Sequence, residues 1–181
     1  NKKLQGSGCK FKVLTSAEVD ILKDGSLDLP DRVLAKLDVV GVSVHSHFKL
    51  SKNEQTKRIL CAMENPHVDI LFHPTGRIVG SREPYEVDID EIIKAAKRTG
   101  TILEVNASMR LDLKDEYIRK AIAAGVKLVI STDAHNTAHF AWLECGVAQA
   151  RRGWATPDDI INTMSLKNLV SFLKKPKRLR F

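Results

Sequence analysis

Short apolar runs recur along this chain, and metal-capable side chains stand where several of them end. Val39-Val40-Gly41-Val42-Ser43-Val44 runs into His45, and Val68-Asp69-Ile70-Leu71-Phe72 runs into His73. Val126-Lys127-Leu128-Val129-Ile130 leads through Ser131 and Thr132 to Asp133-Ala134-His135. Runs of this length and composition predict buried parallel strands. An earlier strand, expected over 11–21, carries Glu18 inside it. The segments between have helical spacing and helical punctuation. Pro30 opens a short helix over 30–37. Ser51 and Glu54 have capping-box spacing ahead of a helix over Lys52–Glu64, which Asn65-Pro66 stops. Asp88 and Gly100 bracket a helix over Ile89–Thr99. A strand follows over 101–107, then a helix over 115–124 and a strand over 127–130. Further expectations are a helix over 139–146, a short last strand over 147–150, a helix opened by Thr156 and Pro157, and another over 166–174. About five strand-plus-helix units make an α/β fold. Ligands repeated at strand ends favour a barrel of mostly parallel strands over an open sheet, because sites collect at the carboxyl ends of such strands.

The length of 181 residues predicts one domain spanning the chain, with no repeat or low-complexity linker inside it. No apolar stretch reaches the ~20 residues that span a bilayer, and the opening residues do not read as a signal peptide. Cys9, Cys61 and Cys145 are odd in number and form no CxxC pair, so they read as reduced thiols and the expected compartment is the cytoplasm. A net charge of +7 suits a polyanionic partner. Part of it lies in a basic tail, 174–181, which reads as a solvated end, with phosphate-backbone contact as the alternative.

The candidate chemistry is a metal centre. Glu18, His45 and His73 form one ligand set of the type that holds Zn or Mn. Asp133 and His135, two apart and on one face of an extended segment, form a second set. Two adjacent metals hold a phosphoester, activate water and stabilise the leaving oxygen. Arg77 is a candidate phosphate ligand, or else a salt-bridge partner of Glu83 or Glu86. Glu104 and Asn106 share a strand face and are expected to support a metal-bound histidine. Arg110 is a candidate substrate contact. Arg151 and Arg152, beside Trp154, offer guanidiniums to nucleic acid, with a buried Trp154 as the plainer reading. His47, His67 and His139 read as loop or surface residues.

These residues resemble the PHP (polymerase and histidinol phosphatase) domain, in the version at the C-terminus of X-family DNA polymerases. The resemblance is carried by Ala17-Glu18-Val19-Asp20-Ile21, Asp24-Gly25-Ser26-Leu27-Asp28, Ser43-Val44-His45-Ser46, Asn65-Pro66-His67, Leu103-Glu104-Val105-Asn106, Arg110-Leu111-Asp112-Leu113 and Ser131-Thr132-Asp133-Ala134-His135. His73-Pro74-Thr75-Gly76-Arg77 and Ala150-Arg151-Arg152-Gly153-Trp154 are more specific to the polymerase branch.

The resemblance implies a distorted seven-stranded (β/α) barrel with up to three metals, commonly Mn2+ or Zn2+. It implies that Glu18 bridges two metals, that His45 and His73 complete one site, that Asp133 helps hold another, and that His135 binds the third. Glu18, Asp133 and His135 are then the reacting centre. The implied activity is phosphoester hydrolysis, in the polymerase branch a 3′-5′ exonuclease and 3′-end processing of DNA in repair. The family's opening His-x-His and the two ligands after it have no counterpart here, so the chain reads as the later part of such a domain. The isolated chain is therefore expected to bind fewer metals and to be weakly active or inactive. Missing strands would also expose sheet edges and favour self-association. The alternatives are a histidinol-phosphatase-type enzyme and an inactive remnant with a structural role.

Overall fold

The computed structural model describes residues 12–181, so Phe11 and Cys9 lie outside the described residues. Five strands form one parallel sheet: β1 (Ser16–Asp20), β2 (Val39–Ser43), β3 (Ile70–Leu71), β4 (Ile102–Asn106) and β5 (Leu128–Ser131). Their spatial order is their chain order, β1 to β5. Because no strand reverses that order, right-handed crossovers carry the connecting helices to the same face of the sheet. This is a singly wound arrangement, like one sector of a barrel, and β1 and β5 are not paired with each other. The connecting helices are α1 (Asp31–Leu34), α2 (Lys52–Glu64), α3 (Ile89–Thr99) and α4 (Asp115–Ala123). α2 forms where the capping box predicts it, with Ser51 accepting from the Glu54 N–H. α3 starts at Asp88 and ends at Gly100, as its caps require.

Strand alternation divides the core in two. Val40, Val42, Leu71, Leu103, Val105 and Leu128 pack with the helices in the larger cluster. Ile70 and Ile102 face the other way, with Val39, Phe72 and Val129, and are covered by Ile161, Leu169, Phe172 and Phe181. The C-terminal part of the chain is thus the lid on the second face of the sheet.

Two expectations are corrected here. Residues 147–150 are not a strand but the middle of α5 (Leu143–Arg152), with Gly146, Gln149 and Ala150 buried. Four residues, three of them apolar and one glutamine, do not distinguish the two periods, and the i, i+3, i+4 burial of a helix won. A Cβ on Gly146 would meet Ala107 and Ile130, so the helix lies directly on the sheet. The basic run 174–181 is solvated only in part: Lys174, Lys175, Arg178 and Leu179 are exposed, whereas Arg180 is buried. After α6 (Leu166–Leu173) it docks: Lys177 Nζ donates to the carbonyls of Met63 (2.9 Å) and Asn65 (3.0 Å), closing the end of α2. Arg180 Nη2 donates to Asp69 Oδ1 at 2.7 Å, and both residues are buried. Phe181 stacks on Phe172.

The edges are not left bare. Ile160 bridges Leu128 in parallel fashion, and the Asn162 side-chain amide exchanges both hydrogen bonds with the Ile130 backbone (2.8 and 2.9 Å). A side chain there does the work of a strand. Asp28 does the same for Asp20, accepting from its N–H at 3.0 Å and donating its own N–H to its carbonyl at 3.1 Å.

Gly100 gives a stability prediction. Its φ is +76°, and a Cβ there would collide with the Lys177 carbonyl. Gly100→Ala must strain a left-handed cap and push the C-terminal segment off the sheet, so it should cost about 2 kcal/mol or more. Urea denaturation at equilibrium measures this.

Candidate metal centre

Three adjacent strands deliver one residue each to the carboxyl edge. Glu18 lies on β1, His45 two residues past β2, and His73 two residues past β3. Their ligand atoms all lie within 4.8 Å of one another. Glu18 Oε1 is 2.9 Å from His73 Nε2 and 3.3 Å from His45 Nε2. Ligands ~2.0–2.1 Å from a tetrahedral Zn2+ stand about 3.3 Å apart, so this spacing suits a bound cation. Two imidazole nitrogens and one carboxylate oxygen suit Zn2+ or Mn2+. His73 is 2% exposed, and its backbone φ is +28°, a conformation non-glycine residues rarely hold without a compensating gain.

Polar groups fix this edge, some half-exposed and some buried. Asp20 Oδ1 accepts from His45 Nδ1 at 2.6 Å, leaving Nε2 for the metal, as in a carboxylate–histidine–metal relay. Glu104 is buried and accepts from the His73 N–H at 2.6 Å, from the Ser131 hydroxyl, and from Asn106 Nδ2 at 3.3 Å. Its support therefore reaches the His73 backbone and not the imidazole, because β4 lies beside β3 and its inward carboxylate meets the peptide at the strand tip. Arg58 is 2% exposed and holds the carbonyls of Ile21, Leu22 (3.1 Å) and Ser46 (3.0 Å), the residues that follow Asp20 and His45.

Asp20 and Arg58 were missed in the sequence. Asp20 was readable, since it shares a strand face with Glu18 two residues away. Arg58 was not, since an arginine on an amphipathic helix reads as solvated.

Hydrogen bonds among the three side chains set the electrostatics of the site. Hydrogen bonds from His45 and then His73 hold the Glu18 carboxyl well below the usual carboxylate range, against the effect of burial. The hydrogen bond to Glu18 pushes His45 up to about 9, with burial opposing and Asp20 adding to it. A cation must displace that proton, so binding near neutral pH should release one proton and tighten as pH rises towards 9.

Burial raises Glu104 to about 7, well above an unfolded glutamate. Its folded state thus keeps a proton that the unfolded chain gives up, and stability should fall as pH rises from about 4.5 to 7, by up to roughly 1.4 kcal/mol per pH unit. Glu104→Gln should flatten that slope, read from urea midpoints across the window.

Asp133 and His135 do not join the triad. They follow β5, which β4 separates from β3, and no His, Cys, Asp or Glu cluster besides the triad forms among the described residues. Of the five expected ligands, Glu18, His45 and His73 form the cluster, and Asp133 and His135 lie outside it. Asp133, at φ +51°, lies 3.5 Å from Arg110 Nε. The His135 side chain is 78% exposed, with Nδ1 at 2.8 Å from the Asp133 carbonyl. His139 borders this loop, accepting from the His135 N–H and stacking on Trp142 at 4.1 Å.

Arg77 is committed to the carbonyls of Arg110 (2.9 Å) and Leu111, and pairs with neither Glu83 nor Glu86. Two carbonyls in the 110–111 loop satisfy its fork, so it braces that loop. Arg110 keeps a buried Nη1 without a partner. α5 returns the chain to the amino end of the sheet, since Ile160 pairs with the first residue of β5. Arg151 and Arg152 lie in the last turn of α5, before that return, and Arg152 pairs at 3.0 Å with Asp115, the first residue of α4. Trp154 is exposed, not buried. Gly153 packs on Ile118, and a φ of +68° at Trp154 turns its ring outward under Arg119.

Related proteins share this sequence at length. The chain is 32% identical over 178 residues to a probable phosphatase of Thermoanaerobacter sp. strain X514, covering 92% of the chain and 70% of that protein. It is 47% identical over 166 residues to the DNA polymerase/3′-5′ exonuclease PolX of Bacillus subtilis strain 168. The chain belongs to the PHP family. The PolX match takes in 91% of this PHP chain but 29% of PolX, so the chain spans less than a third of that relative. A probable phosphatase of Clostridium acetobutylicum is 31% identical over 178 residues, 70% of its length. No family profile matches the chain. Among the described residues, no helix of this PHP chain is long and apolar enough to cross a membrane.

Proposed function

We propose that this chain is the metal-dependent phosphoesterase part of an X-family DNA polymerase, acting in the cytoplasm on 3′ ends of DNA during repair, and that its sheet is a sector of the distorted (β/α)7 barrel. The observation that carries this reading is the Glu18–His45–His73 cluster at the carboxyl edge. The 47% identity to PolX favours DNA over a small phosphate ester. Glu18, His45 and His73 would hold Mn2+ or Zn2+, with Asp20 fixing the His45 tautomer and Glu104 the His73 backbone. The bound ion would polarise the phosphoester and lower the pKa of water. Arg110, with its unpartnered Nη1, would grip a phosphate oxygen from the side of Asp133. Asp133 and His135 would add ligands for a second ion from the β5 side.

The two phosphatase relatives, matched over 70% of their length, support less specifically a second reading, hydrolysis of a small phosphate ester such as histidinol phosphate. With Mn2+ present, 3′-recessed DNA and histidinol phosphate should be compared side by side. Release of 3′ nucleotides that His73→Ala abolishes supports the DNA reading. Faster hydrolysis of histidinol phosphate overturns it. Stoichiometric metal binding with neither substrate cleaved would leave the structural-remnant alternative standing.

A further inference from the structure

The amino end of the sheet, opposite the triad, holds a second feature. A cavity of about 730 Å3 opens between the start of β2, the end of α1 and the C-terminal segment. Arg180 lines it with a side chain only 3% exposed. One of its nitrogens, Nη2, serves Asp69 and the Leu173 carbonyl, while Nε and Nη1 are buried without a partner. A buried guanidinium with two idle nitrogens, three N–H donors in all, is an expensive arrangement unless something accepts them.

The remaining charges of the lining point the same way. Lys12, Lys174, Lys175, Lys177 and Arg178 line the cavity with Arg180, against Asp38, Glu64 and Asp69. Asp69 pairs with Arg180, and Glu64 with Arg98 and Arg178, while Asp38 accepts from Thr15 and lies in the field of Lys12 and Lys174. Six cationic side chains thus face three carboxylates, and among the described residues none of these carboxylates pairs with Lys175, so the surplus is positive. The volume is that of a typical small-ligand pocket.

We propose that this cavity binds a phosphate-bearing small molecule of nucleotide size, its oxyanion meeting Arg180 and the rim lysines. The site is separate from the metal centre, so it stands whether or not the triad hydrolyses anything. The chain is titrated in EDTA, at fixed ionic strength, with inorganic pyrophosphate and with deoxyadenosine monophosphate, by calorimetry and by thermal midpoint. Removing metal removes any phosphate affinity the triad would gain from one. One saturable site is expected, with a raised midpoint. Lys174→Ala/Lys175→Ala, which spares the buried Arg180–Asp69 pair, should weaken it by about tenfold or more. Glu18→Gln should leave it intact. Absence of a saturable site for both probes, indifference to the lysine substitutions, or loss of binding in Glu18→Gln would overturn the proposal.

Discussion

His73→Ala should weaken Zn2+ or Mn2+ binding by about 100-fold or more, while His135→Ala leaves that affinity unchanged. The contrast follows from placement. His73 is buried, with Nε2 2.9 Å from Glu18 Oε1, whereas the His135 side chain is 78% exposed and outside the cluster. Loss of a direct ligand exceeds the 10- to 100-fold typical of a supporting residue. Asp20→Asn tests the supporting kind and should cost about tenfold, since the amide no longer fixes the His45 tautomer as a carboxylate does. Calorimetric titration of metal into chelator-stripped protein measures all three, with thermal midpoints confirming that each variant is folded. Equal losses at His73 and His135 would mean that the β5 loop closes onto the triad when metal binds.

The second large effect belongs to Arg58. Arg58→Met should destabilise the fold by about 3–5 kcal/mol, lowering the melting temperature by roughly 10 °C. Methionine fills much of the same space but leaves the carbonyls of Ile21, Leu22 and Ser46 without their donor. Those carbonyls lie just beyond Asp20 and His45, so the loss also loosens the metal edge. Arg58→Lys should recover little, because one ammonium does not reproduce a planar fork spread over three acceptors. Urea unfolding followed by far-UV circular dichroism gives the number, and a loss under about 1 kcal/mol would show that water replaces the guanidinium.

Local signals were legible wherever the chemistry is local. The Ser51–Glu54 box and the Asp88–Gly100 pair each act within a few residues, and both helices have the bounds those caps predict. The cluster was legible from the strands, since His45 and His73 follow apolar runs and Glu18 lies within a strand. Long-range partners decided the rest. The Asp69 carboxylate, inside a run that reads as strand, serves the Val40 N–H at 2.9 Å and Arg180 at 2.7 Å, and nothing near Arg180 in the sequence points to Asp69. The basic tail consequently read as solvated. Sheet order was equally invisible, and it puts β4 between β3, which leads to His73, and β5, which leads to Asp133 and His135.

Crystals of the chain grown with Zn2+ or Mn2+ and measured at the metal absorption edge test the central claim most directly. The account predicts an anomalous peak within bonding distance of Glu18 Oε1, His45 Nε2 and His73 Nε2 together. A peak that touches only the Asp133–His135 loop, or no peak beside the triad at saturating metal, would contradict it.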